Sequence, residues 1–226
     1  MERHKTNTIW TIFISLLILI TSIKPDEKNK SEVNNYFPVA KNLTLLYNTS
    51  FGDESISKFI KKDNLIINSI ESPEFKYYQT LKINEDGVFV TETYQYVKIF
   101  LFIKKESRHT YNKPLLRIPS QLIIGKEWNW EGLEYTDSDS SKVSVHGKVI
   151  GEENVITQAG TFKSLKVETS IENSNDSKNT ITEWFVEGIG PVKTIIVIKG
   201  GGLMGFVRDL LGYKEFSFEL KELKNN

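Results

Sequence analysis

Four carboxylates and three tryptophans come nearest, by type and spacing, to a chemical site. Glu127, Glu131, Glu183 and Glu187 lie beside Trp128, Trp130 and Trp184. Two carboxyl groups flanking a glycosidic bond can act as acid and base, or as acid and nucleophile. Indole rings next to them would give a sugar a flat face to rest on. On that reading Trp128, Trp130 and Trp184 are the candidate ligand-binding residues. The competing reading comes from the two-residue period of a strand, which sends neighbouring side chains to opposite faces. The indoles would then pack a core while the carboxylates face water.

Other constellations fall short. The histidines are His4, His109 and His146, and none has a second histidine at ligand spacing, so no zinc site is indicated. His109, within Ser107-Arg-His-Thr, reads as a loop residue. No Gly-x-Ser-x-Gly elbow is present. Asp137-Ser-Asp139-Ser-Ser141 begins like a calcium loop, but Lys142 and Lys148 stand where the loop needs a glycine and a bidentate glutamate. A solvated hairpin tip is expected there. Gly200-Gly-Gly202-Leu-Met-Gly205 fits G-x-G-x-x-G between a strand and a candidate helix. The roughly twenty residues that remain cannot complete the βαβ unit such a turn serves, so a flexible connector is expected. The chain has no cysteine, which removes disulfides, thiolate metal sites, a Cys nucleophile and an acylated lipoprotein anchor. No catalytic residue, metal or cofactor is assigned.

The elements that would position these residues are strands. Segments 43–47, 56–60, 65–70, 75–83, 88–103, 128–133, 143–150, 162–171, 180–186, 192–198 and 214–223 are rich in Val, Ile, Thr, Tyr and Phe. Turn residues separate them. Glu85-Asp-Gly87 is a hairpin signal, because Asp-Gly suits positive φ. The polar runs 137–141 and 173–179 read as loop tips. The stretch 96–103 is apolar nearly throughout, as in a strand buried on both faces or a sheet that bends. Only 203–211 reads as a helix.

The pattern from Gln158 to Lys199 is a long hairpin, a Gly188-Ile-Gly190-Pro191 corner and a third strand. Here Phe162 is out of phase with Leu165 and Val167, and a bulge near Lys163–Ser164 would let all three face inward. Two strand starts echo each other. Asn42 precedes Leu45 and Tyr47, and Gly125 precedes Trp128 and Trp130. In each, a residue tolerant of the left-handed region stands before two large side chains on one face. The expected fold is all-β and mainly antiparallel: a curled sheet forming an open barrel or sandwich, with one short C-terminal helix capping it.

These residues resemble a family of exported, uncharacterised bacterial β-domains called TapB-like. The likeness rests on Tyr36, Phe37 and Pro38, then Asn42, Leu45 and Tyr47, then Gly160, Thr161 and Phe162. It ends on Trp184, Phe185, Gly188, Gly190, Val192 and Lys193. Asn42 and Leu45 depart from the family's usual Gly and Trp. The resemblance covers most of the chain after residue 35. It implies an exported all-β domain and supplies no catalytic residues.

The N-terminus reads as an address. Arg3, His4 and Lys5 precede a 15-residue apolar run from Ile9 to Ile23. A basic start and an apolar run of this length describe an export signal. At about 1.5 Å per residue it spans roughly 22 Å as a helix, short of a bilayer core of about 30 Å. Cleavage after Ser22 and retention as a signal anchor are both open. The reading is therefore a signal peptide or anchor over 1–23, a polar linker over 24–35, and one β-rich extracytoplasmic domain over 36–226. That domain would be periplasmic, at the cell surface or secreted.

Composition narrows the partners. Lys+Arg and Asp+Glu both number 29. A nucleic-acid binder normally carries a basic excess or stripe, so none is expected as a partner. With 39% hydrophobic and 12% aromatic residues the chain is globular. The expected function is a non-enzymatic, envelope-associated binding module. A curled sheet would hold an apolar ligand such as a lipid among its inward aromatics. The membrane is a further partner if the N-terminal segment is retained. The alternatives are a carbohydrate-active hydrolase built on the Glu/Trp cluster, and a structural envelope protein acting through a sheet edge or apolar patch.

Overall fold

The computed structural model describes residues 33–37, 39, 42–62, 65–99, 103–137, 139–174, 177–200 and 215–225. A four-residue helix α1 (Val33–Tyr36) is followed by twelve strands. They are β1 (Leu43–Thr49), β2 (Glu54–Lys62), β3 (Leu65–Glu71), β4 (Phe75–Asn84), β5 (Gly87–Ile99) and β6 (Ile103–Pro119). Then come β7 (Glu127–Tyr135), β8 (Ser140–Thr157), β9 (Gly160–Asn173), β10 (Lys178–Val186), β11 (Gly190–Lys199) and β12 (Glu215–Asn225). Each strand pairs antiparallel with the next, and β12 returns to pair with β1.

That last pairing corrects the expected open sheet. Leu43 to Thr49 of β1 lie opposite residues of β12, and Thr44 to Asn48 lie opposite β2. The sheet is a closed barrel with no free edge, which alternation along single strands could not show. The capping helix expected over 203–211 lies outside the described residues. Among those, the helix is α1, before the first strand.

Alternation holds along β8. Val143, Val145 and Val149 are buried within the barrel, while Lys142, His146 and Lys148 point outward. A membrane-spanning barrel carries an apolar band on its outside; this part of β8 carries Lys142, His146 and Lys148 there instead. No helix among the described residues is long and apolar enough to cross a membrane.

Twelve strands pose a filling problem. At eight, side chains just fill a barrel's interior; at twelve the space is wider. At one end it is filled by large groups. Trp128 and Trp130 of β7 pack with Leu81, Val88, Val149 and Phe185. Gly147 and Gly132 make room for the indoles, since a Cβ on either would overlap Trp128 or Trp130 respectively. The end of α1 and the residue after it close the same end. Tyr36 and Phe37 are buried there, and Phe37 meets Phe185 at 5.7 Å and Phe59 at 6.0 Å between ring centroids. Gly188 N–H donates to the Asn35 carbonyl at 2.6 Å, joining this plug to the β10–β11 turn.

Several local expectations are met. Asn42 (φ 49°) and Gly125 (φ 83°) both have positive φ, and Leu45, Tyr47, Trp128 and Trp130 behind them are all buried. The turn at Glu85–Asp86 is a two-residue hairpin, with Asn84 opposite Gly87. Gly87 serves less as a turn residue than as a point of close approach, because a Cβ would strike the Ile118 carbonyl of β6.

The bulge near Lys163–Ser164 is corrected: β9 is regular there and the extra residue is Ile150 of β8. Leu165 and Val167 reach the main core, while Phe162 joins the cluster that holds Val155 and Trp184. The tip of the β8–β9 hairpin leans on β12, where Ala159 N–H donates to the Leu220 carbonyl. The Gln158–Lys199 stretch is thus three consecutive staves of the barrel and no closing edge.

Candidate functional site

The interior beyond the packed end is lined differently, and bulges decide which side chains reach it. On β6, Ile118 lies opposite Val88 and Leu116 opposite Phe89, so Arg117 is the extra residue. A bulge re-aims a side chain, and Arg117 lines the interior. Its Nη2 lies 2.6 Å from Oε1 of Glu183 on β10. The two side chains are 17% and 8% exposed. The guanidinium also lies over Phe37 (5.1 Å) and Phe185 (5.9 Å). The rings attract the guanidinium as a whole, while Nη1 has no hydrogen-bond partner. An isolated buried carboxylate would be costly, so the pair is what lets Glu183 stand inside.

A second acid–base contact lies on β6 and β7. His109 Nδ1 is 3.2 Å from Glu134 Oε1. The contact lies off the line of a hydrogen bond, because Nδ1 makes none; Nε2 lies 2.9 Å from Ser107 Oγ. This is also where the barrel wall is thinnest. The β6–β7 ladder consists of Thr110 opposite Tyr135 and Tyr111 opposite Glu134. Beyond it side chains take over: Leu133 N–H donates to Asn112 Oδ1 (2.9 Å) and Trp130 Nε1–H to the Pro114 carbonyl (3.0 Å). Pro114 cannot donate to a ladder.

Amides and phenols fill in between. Asn68 donates to Gln79 at 3.4 Å, and Gln79 donates to the Tyr77 hydroxyl at 3.0 Å. Tyr47 donates to the Pro191 carbonyl at 2.6 Å. Burial pushes the pKa of Tyr47 and Tyr111 well above the ordinary phenol range. The charge of Glu183 adds to this at Tyr47, and that of Glu134 at Tyr111. Tyr77 is raised chiefly by burial, with Arg117 opposing and Glu183 reinforcing. All three phenols therefore remain neutral.

Together these side chains surround a cavity of about 270 Å³. Its apolar wall includes Leu45, Phe59, Ile70, Phe75, Ile181 and Phe218; its polar wall includes Gln79, Thr93, Tyr111, Thr169, Asn179 and Thr194. An apolar cavity of about 150 Å³ admits benzene, so this one has room for more than a single ring. A mostly apolar space with a few convergent polar groups is the usual make-up of a small-molecule site.

The tryptophans proposed from sequence are elsewhere. Trp128 and Trp130 are 5% and 7% exposed within the packed end. Trp184 is 7% exposed, beneath Lys166 and Lys193 on the strand face opposite Glu183, with its Nε1–H on Glu153. None of the three lines the cavity. The four carboxylates do not converge either. Glu127, Glu131 and Glu187 are exposed, Glu127 is held by Lys148, and Glu183 is buried against Arg117. His109 is no loop residue: it stands in β6 and lines the cavity. That strand escaped the sequence reading, and with it Arg117 and Tyr111. The signal for it was the alternation of Ser107, His109 and Tyr111 with Glu106, Arg108, Thr110 and Asn112. Within the 137–141 run, Asp139 accepts from Ser140 N–H, and Ser140 and Ser141 already belong to β8.

The fold and site define a closed antiparallel meander barrel with an internal cavity. Residues 131–207 match a family model described as DUF3108-like; the TapB-like resemblance rests on the motifs alone. No curated protein matches the chain. Three solved structures are similar. One is the hypothetical lipoprotein YmcC from Escherichia coli, at 10% identity over 97% of this chain and 98% of that one, with a TM-score of 0.42. Another is a candidate lipoprotein from Parabacteroides distasonis, at 14% identity over 84% and 98%, TM-score 0.40. The third is a candidate exported protein of Bacteroides fragilis with a YmcC-like fold, at 12% identity over 81% and 96%, TM-score 0.31.

Proposed function

We propose that this chain is a non-enzymatic, extracytoplasmic binding barrel that holds a small amphipathic ligand in its interior. The observation that carries the reading is the cavity of about 270 Å³, with aromatic and aliphatic walls and buried polar groups turned inward. A wall of this kind shields the apolar part of a ligand, while a few fixed donors and acceptors set its orientation. The basic start and the apolar run from Ile9 to Ile23 support an address beyond the cytoplasm. Native mass spectrometry of protein recovered from its own host, without denaturation, tests the binding role. A mass above that of the polypeptide, lost on collisional activation, is expected. Protein found only at the apo mass would overturn the reading.

A further inference from the structure

The charges around the cavity indicate what kind of ligand it would take, and this inference rests on the binding reading above. Four lining residues carry ionisable acid or base groups other than phenols: Arg117, Glu183, His109 and Glu134. Two carboxylates against one guanidinium leave a formal negative charge when histidine is counted as neutral. Arg117 already has its counter-charge in Glu183 at 2.6 Å, and Phe37 and Phe185 lie against its guanidinium, so an incoming anion would have to compete with Glu183 although Nη1 makes no hydrogen bond. Glu134 is the carboxylate with no permanent cation beside it: Tyr111 is its hydrogen-bonding neighbour, and among the described residues no guanidinium or ammonium faces it as Arg117 faces Glu183. Its basic neighbour, His109 Nδ1, stands at 3.2 Å without hydrogen-bond geometry.

Aromatic rings share the same space. Tyr77 and Tyr111 line it, and Phe75 stacks on Tyr77 with 6.4 Å between centroids. The faces of such rings attract a cation, most strongly where water is excluded. A negative cavity walled by rings disfavours a carboxylate or phosphate and suits an ammonium.

We propose that the cavity selects an organic cation, a primary or quaternary ammonium on a short apolar body, with Glu134 as its counter-ion. Isothermal titration of the full chain near pH 8, where a free imidazole is neutral, would use octylammonium, octanoate and octanol. These share one tail and differ in head charge. Octylammonium is expected to bind about tenfold or more tighter than octanoate, with octanol between. Glu134→Gln should cut the preference for octylammonium by about tenfold and leave octanol unchanged, with folding followed by circular dichroism. Octanoate binding as tightly as octylammonium overturns the proposal, as does a Glu134→Gln variant that keeps the full preference. Should that variant fail to fold, the wild-type series decides alone. Octanol bound without any preference for the cation overturns the charge assignment and leaves the binding reading standing. No binding of any probe overturns both.

Discussion

The two halves of the barrel interior are built by the same alternation and filled to opposite effect. At the α1 end the inward positions hold Trp128, Trp130, Leu81 and Phe185, with glycines placed so that the rings fit. Toward the other end the inward positions of β3, β4, β5, β9 and β11 include Asn68, Gln79, Thr93, Thr169 and Thr194. These are shorter or polar, and they leave the cavity. A twelve-strand circumference must be filled or left hollow, and this chain does one at each level. The difference separates what holds the fold from what is free to serve a ligand.

Substitutions at matched depth test that division first. Trp130→Ala in the packed end should cost about 3–5 kcal/mol, as large-to-small changes of an aromatic do. Thr169→Ala beside the cavity removes a short side chain from a wall that is already hollow and should cost no more than about 1 kcal/mol. Urea denaturation of both variants checks this, and equal losses would break the comparison.

Arg117 stands where the halves meet. Arg117→Met strands Glu183 and should cost about 3–5 kcal/mol, whereas Arg117→Met with Glu183→Leu should return to near wild type or above it. A double variant as unstable as the single would mean that the pair does more than neutralise itself.

Gly147→Ala sets a Cβ against the Trp128 indole. Trp128 is fixed by its neighbours, so a loss of about 1–3 kcal/mol is expected by thermal melting.

A smaller effect comes from the phenols. Their ordinary pKa is 10.0, and burial raises it in Tyr47, Tyr77 and Tyr111. A raised folded pKa means that the stabilisation is present below pH 10 and is lost as pH climbs above it. Absorbance titration should therefore show these three ionising only as the barrel unfolds, while stability falls above pH 10. Full ionisation with the native circular dichroism intact would place water around them.

The strands were largely legible, because Val, Ile, Tyr and Phe recur at period two between clear turns. The same rule explains why the tryptophans and glutamates do not form one site: Glu127 and Trp128 are neighbours in sequence and therefore on opposite faces. Closure was not legible, since the pairing of β1 with β12 joins residues such as Leu43 and Asn225 that share no local pattern. Nor was the cavity. Two of its lining residues, His109 and Arg117, ride on β6, where Lys104, Lys105, Arg108 and Pro114 mask the strand signal, and Arg117 sits at a bulge that is visible only against β5.

The most direct test of the central claim, that the hollow level of the barrel is a ligand site, is a high-resolution crystal structure of protein purified from its own host. The account predicts continuous density for a bound molecule between Tyr77, Tyr111 and Glu134. A cavity holding only separate, hydrogen-bonded waters would contradict it.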